Sequence, residues 1–169
     1  MKNEIFRKVA IISYLAKELH EAYPDKQIGK TVLQKMSYFL TREDIVEFDY
    51  SLYHYGPYSS EVESEISFAE DLGMLDVKWE MDKGYFIFVK NNEFESFIKT
   101  EERKKIENVV SKYGKFNATE LSIIATAFFV KDRFRIDDKE KLVEIVASIK
   151  PQYDKNWIEK ILSEGNVIN

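Results

Sequence analysis

The sequence contains no cysteine, and it has only two histidines and three prolines among its 169 residues. The absence of cysteine excludes disulfide bonds, thiolate metal sites and cysteine nucleophiles. No apolar run approaches the ~18 residues that a membrane span needs. Charged residues interrupt the apolar part of the N-terminal segment, which is typical of a helix and not of a secretory signal. We therefore expect a cytoplasmic protein that has no membrane partner.

Recognisable catalytic patterns are also lacking. The chain has no Ser-His-Asp order, no nucleophile elbow and no metalloprotease histidine pair, so we expect that it is not an enzyme. Glu61 and Glu65 stand four residues apart and could hold a divalent cation, but such pairs are common on solvated helices. We interpret them as surface charge and expect neither a metal nor a cofactor.

The sequence contains enough apolar residues to form a folded core. Hydrophobic residues make up 44% of the chain and aromatic residues 14%, while the net charge is -5. Such a composition is typical of an ordered globular protein. The negative charge favours solubility and gives no bias toward polyanionic partners.

Apolar spacing predicts two helices in the first part of the chain, over residues 3–23 and 28–43. On the first helix, a buried stripe is expected at three- and four-residue steps. Its members are Ile5, Val9, Ile12, Ala16 and Leu19. On the second helix, we expect Lys30 and Lys35 to face solvent.

The next segment changes to a period of two, which predicts a strand over residues 46–55 that Gly56-Pro57 ends. A third helix follows, capped by Ser59 or Ser60. It is predicted to bury Val62, Ile66 and Leu72 and to end at Gly73. Two β-rich runs, 74–81 and 85–90, then form a hairpin with Gly84 in the left-handed position of its turn.

This order of elements predicts an α+β fold, a winged helix-turn-helix core with a C-terminal α-helical extension. We expect the winged-helix-like domain over residues 1–92 and the helical extension over residues 93–169. Asn117 with Glu120 forms a predicted capping box in the extension, and Asp137 or Asp138 caps a later helix. No low-complexity linker separates the two parts, so the extension is expected to pack on the core.

The third helix usually reads DNA in a winged helix, yet its surroundings are acidic here. Between Glu43 and Val77 the chain has ten acids and no lysine or arginine. These acids would repel phosphate, so a protein partner is favoured over DNA.

We predict a partner-binding surface on the tyrosine-rich turn and the acidic helix. Its residues are Tyr53, His54, Tyr55, Tyr58, Glu61 and Glu65. Two interpretations of the tyrosines, including Tyr50, remain open: they pack in the core and turn, or they are exposed anchors of a contact. His54 is expected to be buried and hydrogen-bonded.

The alternative hypothesis is a winged-helix transcriptional regulator that uses its wing and a basic helical segment. The residues that would then meet DNA are Lys78, Lys83, Lys90, Arg103, Lys104 and Lys105. The sequence leaves open whether the chain forms a homodimer.

Several motifs resemble the YwgA-like family of uncharacterised prokaryotic proteins. They are Leu33-Gln34-Lys35 with Tyr38-Phe39, the string LYHYGPYSSEV (52–62), the helix exit DLGML (71–75), ELSIIATAFFV (120–130) and SIKPQYDKNWIEKIL (148–162). The first part also resembles the broader group of SocA-type and Panacea domains, through the LQK-type second helix and the Tyr-Gly-Pro turn. Members of that group are linked to toxin neutralisation and to proteolytic adaptor work. The resemblance thus implies a non-catalytic, antitoxin-like or adaptor-like regulator that acts through protein contacts.

Overall fold

The computed structural model describes residues 2–169, with side chains from Glu4 onward. Within that range the protein is α+β, with seven α-helices, one 3₁₀-helix and two small antiparallel hairpins. The elements in chain order are α1 (Lys2–Ala22), α2 (Lys30–Arg42), β1 (Ser51–Tyr53), β2 (Gly56–Tyr58), α3 (Ser60–Asp71), β3 (Leu75–Glu80), β4 (Gly84–Val89), the 3₁₀-helix (Glu93–Phe97), α4 (Thr100–Tyr113), α5 (Ala118–Phe134), α6 (Lys139–Ile149) and α7 (Lys155–Glu164). None of these helices is both long enough and apolar enough to cross a membrane.

Helix α1 contributes most of its predicted stripe to the core. Val9, Ile12, Ala16 and Leu19 are buried. The prediction for Ile5 is wrong, because its side chain is exposed. Phe6 takes the inward position instead, with its ring 5.3 Å from Phe97 and 6.1 Å from Phe68.

The segment between α2 and α3 differs from the predicted single strand. Residues before Ser51 are irregular, and the pairing begins with Ser51 opposite Tyr58. Gly56 and Pro57 do not end a strand, as predicted, but open β2. The chain reverses at residues 54–55, and Gly56 has a φ of 102°. Proline is tolerated at this place because the hairpin has only two strands, so every strand is an edge.

Helix α3 follows its predicted start and end, with Gly73 directly after the C-cap, but one residue of its predicted buried set is exposed. The Ser59 hydroxyl accepts a hydrogen bond from the Val62 N–H, and Ile66 is buried. Leu72 is 39% exposed, so its predicted burial is wrong. Gly73, with a φ of 74°, turns the chain inward right after Leu72, so the next residues enter the core in its place.

Strands β3 and β4 form the predicted hairpin, with Leu75 opposite Val89 and Glu80 opposite Gly84. Gly84 has the positive φ that its turn requires. Ile87 is buried, and its N–H donates a 2.8 Å hydrogen bond to the carbonyl oxygen of Ile28, between α1 and α2. The hairpin is therefore attached to the start of α2 as well as to α3.

Helix α5 lies at the centre of the C-terminal helices and contacts α2, β2, α6 and α7. Its residues from Leu121 to Phe128 are all buried, as expected for a helix that is apolar on every side. At its other end, Arg42 of α2 donates hydrogen bonds of 2.8 and 3.2 Å to Asp132. The predicted caps at Asn117 and Asp138 are confirmed, because their side-chain oxygens accept hydrogen bonds from the N–H groups of Glu120 and Lys141.

Candidate protein-binding surface

The tip of the β1–β2 hairpin projects into solvent. Tyr53 and His54 are exposed, and Tyr55 is 69% exposed. The predicted burial of His54 is wrong, because His54 occupies the turn, where the chain reverses. The buried positions of the hairpin are those of Gly56 and Pro57, directly after the turn.

The tyrosines divide between the two interpretations that the sequence left open. Tyr50 is half-buried and packs edge-on against Tyr38, with ring centroids 5.1 Å apart. Tyr53 and Tyr58 form a second edge-on pair at 5.3 Å, in which Tyr58 is half-buried and Tyr53 exposed. Tyr50 is thus a packing residue, whereas Tyr53 and Tyr55 are available to a partner.

Two buried lysines lie under the hairpin. Lys35 is only 2% exposed, and its Nζ donates a 2.9 Å hydrogen bond to the carbonyl oxygen of Pro57. The expectation that Lys35 faces solvent is therefore wrong: the hairpin covers this face of α2. Lys150, at the end of α6 and 3% exposed, lies 3.4 Å from the carbonyl oxygen of His54. Across residues 4–169, neither ammonium forms an ion pair with a carboxylate.

Burial has the largest effect on the pKa values of these two lysines. It lowers the pKa of Lys35 to about 8, and the positive charge of Lys150 acts in the same direction. Burial also lowers the pKa of Lys150. The two ammonium groups are therefore held at an electrostatic cost, and the backbone carbonyls of the hairpin solvate them in place of water.

Helix α2 holds the hairpin through a second pair of hydrogen bonds. The Gln34 side chain donates to the carbonyl oxygen of Ser59 at 2.8 Å and accepts from the Ser59 N–H at 2.9 Å. Adjacent residues, Gln34 and Lys35, thus fix the backbone on both sides of Tyr58. The Tyr-Gly-Pro turn is consequently a firmly anchored element.

Gly56 lies in close contact with α5. A Cβ atom at this position would be 2.6 Å from the Thr126 Oγ1 and 3.1 Å from the Ser122 carbonyl oxygen. Its positive φ also disfavours every residue with a side chain. Glycine is therefore required here for two independent reasons.

The two acidic residues predicted for the surface are both partly buried. Glu61 accepts a 3.0 Å hydrogen bond from the Asp49 N–H and lies 3.5 Å from the Lys8 Nζ. Glu65 is half-buried, and burial raises its pKa. The fully exposed face of α3 is instead lined by three serines and two acids: Ser60, Ser64, Ser67, Glu70 and Asp71. The structure therefore separates the exposed tyrosines from the half-buried carboxylates.

A groove of about 560 Å³ runs between the tips of the two hairpins. Its aromatic and charged lining residues are Tyr55, Trp79, Tyr85, Lys26, Lys30 and Lys83. Trp79 is 64% exposed and forms an edge-on pair with Tyr85, its cross-strand neighbour, at 4.8 Å. Lys30 lies 4.3 Å from the centre of the Tyr85 ring and 2.6 Å from a Glu63 carboxylate oxygen.

The sequence did not predict this groove. Of its aromatic and charged lining residues, only Tyr55 and Lys83 belong to the binding residues predicted from the sequence. One signal was available for the aromatic wall, because strand alternation puts Trp79 and Tyr85 on the same face across a short turn. Nothing in the sequence indicated that Tyr55, which is distant along the chain, would line the same groove.

The residues of the DNA-binding alternative fall into two groups. On the β3–β4 hairpin, Lys78, Lys83 and Lys90 are exposed, and Lys78 lies 3.6 Å from Asp76. On α4, Lys104 and Lys105 are exposed and Arg103 is half-buried.

Comparisons with protein-family models and with curated proteins find no match to this chain. The resemblance to the YwgA-like family therefore stays a prediction. Among the described residues, no group of three or more histidine and acidic side chains is arranged to hold a metal ion.

Proposed function

We propose that this protein is a non-catalytic regulatory module that acts by binding another protein through the β1–β2 hairpin. The observation that carries the proposal is the contrast between the exposed side chains and the anchored backbone of this hairpin. Its tip exposes Tyr53 and Tyr55, while Lys35, Lys150 and Gln34 form hydrogen bonds with the backbone of residues 54–59. An antitoxin-like or adaptor-like role is the form of regulation that the sequence resemblance implies, and the absence of cysteine favours the cytoplasm as its place.

The anchoring matters because ordering a flexible loop opposes association. Each immobilised side chain costs roughly 0.5 to 1.5 kcal/mol on binding, and a pre-organised element has less of this cost to bear. Tyrosine adds large contact area with few rotatable bonds, and it is enriched at the centres of protein interfaces. A rigid hairpin with two exposed tyrosines therefore suits a protein partner.

We also propose that residues 2–89 form a winged-helix arrangement. The order of α1, α2, α3 and the β3–β4 hairpin supports it. So does the backbone hydrogen bond from Ile87 to Ile28, because the segment between the first two helices of a winged helix commonly pairs with the wing. Here the β1–β2 hairpin is inserted between α2 and α3.

Affinity capture tests the function directly. The immobilised protein and a Tyr53→Ala/Tyr55→Ala variant would be exposed to lysate of the native host, and the retained proteins identified by mass spectrometry. We expect at least one protein to be retained by the wild type and lost from the variant, and to bind again when both are purified. Equal retention of every protein by both baits would contradict the proposal.

One observation favours the second candidate, a DNA-binding regulator. Glu61 and Glu63 of α3 lie close to Lys8 and Lys30, so part of the acidity that the sequence assigned to this helix is compensated. Glu70 and Asp71 remain exposed on α3, and the chain as a whole is negative. The protein-binding function is therefore the one we favour.

A further inference from the structure

We infer that the groove between the two hairpins binds an acidic segment of a partner protein, a short peptide stretch that combines carboxylates with an aromatic side chain. This inference rests on the proposed protein-binding function and adds the chemistry of the partner. The groove is a different part of the surface, because neither Tyr53 nor the residues of α3 line it.

The charge of the groove is opposite to that of the whole molecule. Its lining includes three lysines and no aspartate or glutamate, in a chain whose net charge is -5. Local charge of one sign in a concave surface concentrates ligands of the opposite sign. A carboxylate-bearing ligand is therefore the complementary one.

Two of the three lysines form no ion pair with a described carboxylate. Lys30 is paired with Glu63. Lys26 donates hydrogen bonds to two backbone carbonyl oxygens; burial lowers its pKa to about 8, and the charge of Glu120 acts in the opposite direction. Lys83, in the exposed turn of the β3–β4 hairpin, forms no ion pair with any described residue. Lys83 thus contributes most of the attraction for an anion, and Lys26 adds to it.

The aromatic residues supply the apolar part of the site. Tyr55 lines the groove from one hairpin, while Trp79 and Tyr85 line it from the other. Such side chains are typical anchors of protein contacts. A volume of about 560 Å³ accommodates a few side chains of a peptide, and it is too small for a folded domain.

A single-stranded nucleic acid is the less suitable occupant. Its affinity depends on neutralising several phosphates along the strand, and this groove offers only two lysines outside ion pairs. A peptide with two carboxylates matches that number. The experiment therefore includes a nucleic acid among its probes.

Tryptophan fluorescence provides the test, since the chain has only two tryptophans and Trp157 lies on α7, outside the groove. The probes are the blocked pentapeptides Gly-Asp-Phe-Glu-Gly and Gly-Lys-Phe-Arg-Gly, and a thymidine oligonucleotide. We expect the acidic peptide to change the emission saturably. This change should persist in Trp157→Phe and disappear in Trp79→Phe.

Two charge-reversal variants show which lysine attracts the acidic peptide. Lys83→Glu should weaken binding of the acidic peptide at least fivefold, whereas Lys78→Glu should change it less than twofold. Lys78 is the matched control, because it is an exposed lysine of the same hairpin that does not line the groove. Binding should also weaken as salt is raised.

Several outcomes would overturn the inference. They are a Kd weaker than about 1 mM for the acidic peptide, equal binding of the basic peptide, tighter binding of the oligonucleotide, or equal effects of the two charge reversals. A partner that depends on Tyr53 but not on Lys83 would overturn the groove and leave the proposed function standing. Saturable binding of the acidic peptide with no captured partner would support the groove and contradict the proposed function.

Discussion

The ammonium of Lys35 donates a 2.9 Å hydrogen bond to the carbonyl oxygen of Pro57, and both residues are buried. This contact joins the second helix to the Tyr-Gly-Pro turn, the two motifs that carry the resemblance to the broader SocA-type and Panacea group. Their co-occurrence in the sequence thus has a structural explanation: one motif anchors the other. The anchored turn then presents its tyrosines at a fixed place on the surface.

The buried lysine should make stability depend on pH. The pKa of Lys35 is about 8 in the folded protein and 10.5 when unperturbed, so the unfolded state binds more protons between these values. The free energy of unfolding should therefore rise as pH increases from 8 toward 10, by about 2 kcal/mol if Lys35 acted alone. Denaturant unfolding at several pH values would measure this rise.

A Lys35→Met variant is the control for that experiment. Lys26 and Lys150 also have pKa values lowered by burial and contribute in the same direction, so the difference between the variant and the wild type isolates Lys35. The pH range should stop near 10, since buried tyrosines such as Tyr38 have raised pKa values and act oppositely above it. Parallel pH profiles for the two proteins would contradict the assignment.

Gly56→Ala should destabilise the protein by roughly 2 kcal/mol or more. A residue with a Cβ costs about 1 to 2 kcal/mol in the left-handed region, and this Cβ would also meet the Thr126 hydroxyl. Thr126→Ala removes that oxygen, which is buried without a hydrogen-bond partner among the described residues, so alone it should cost little. In a double-mutant cycle, Thr126→Ala should recover part of the cost of Gly56→Ala; strictly additive effects would show that the two residues do not interact.

The phase of α3 can be checked with two substitutions, one in the middle of the helix and one at its C-cap. Ile66 is buried, so Ile66→Ala should lower the free energy of unfolding by about 2 to 5 kcal/mol. Leu72 is partly exposed, so Leu72→Ala should cost clearly less, within about 1 kcal/mol. Equal losses, or a larger loss for Leu72, would show that the helix is rotated from the position described.

The affinity for duplex DNA, and the dependence of that affinity on salt, separates the two candidate functions. A protein held on DNA by six phosphate contacts loses affinity with a log–log slope of about -5. We expect no sequence-specific duplex binding tighter than the ordinary non-specific range of roughly 10⁻⁴ to 10⁻⁶ M at physiological salt. A selection from genomic fragments would check this. A defined site bound at nanomolar affinity and lost on Lys104→Glu or Lys83→Glu would favour the DNA-binding alternative instead.

Local features of the fold could be predicted well from the sequence. The cap at Ser59, the capping box at Asn117 and the positive φ of Gly73 and Gly84 each depend on residues a few positions apart. Hydrophobic spacing likewise identified the buried face of α1, because a helix repeats every 3.6 residues whatever it packs against.

The contacts between distant parts of the chain were decided only by the tertiary structure. Lys35 and Pro57 are 22 residues apart, and Lys150 and His54 are 96 apart. A lysine on a helix ordinarily faces solvent, and no local pattern indicates that a hairpin will cover it and supply carbonyl oxygens in place of water. The groove arises in the same way, since Tyr55 and Trp79 come from separate hairpins. The sequence determined which side chains were available. The packing of the β1–β2 hairpin against α2 and α5, and of the β3–β4 hairpin against α1, α2 and α3, decided which became buried and which stayed exposed.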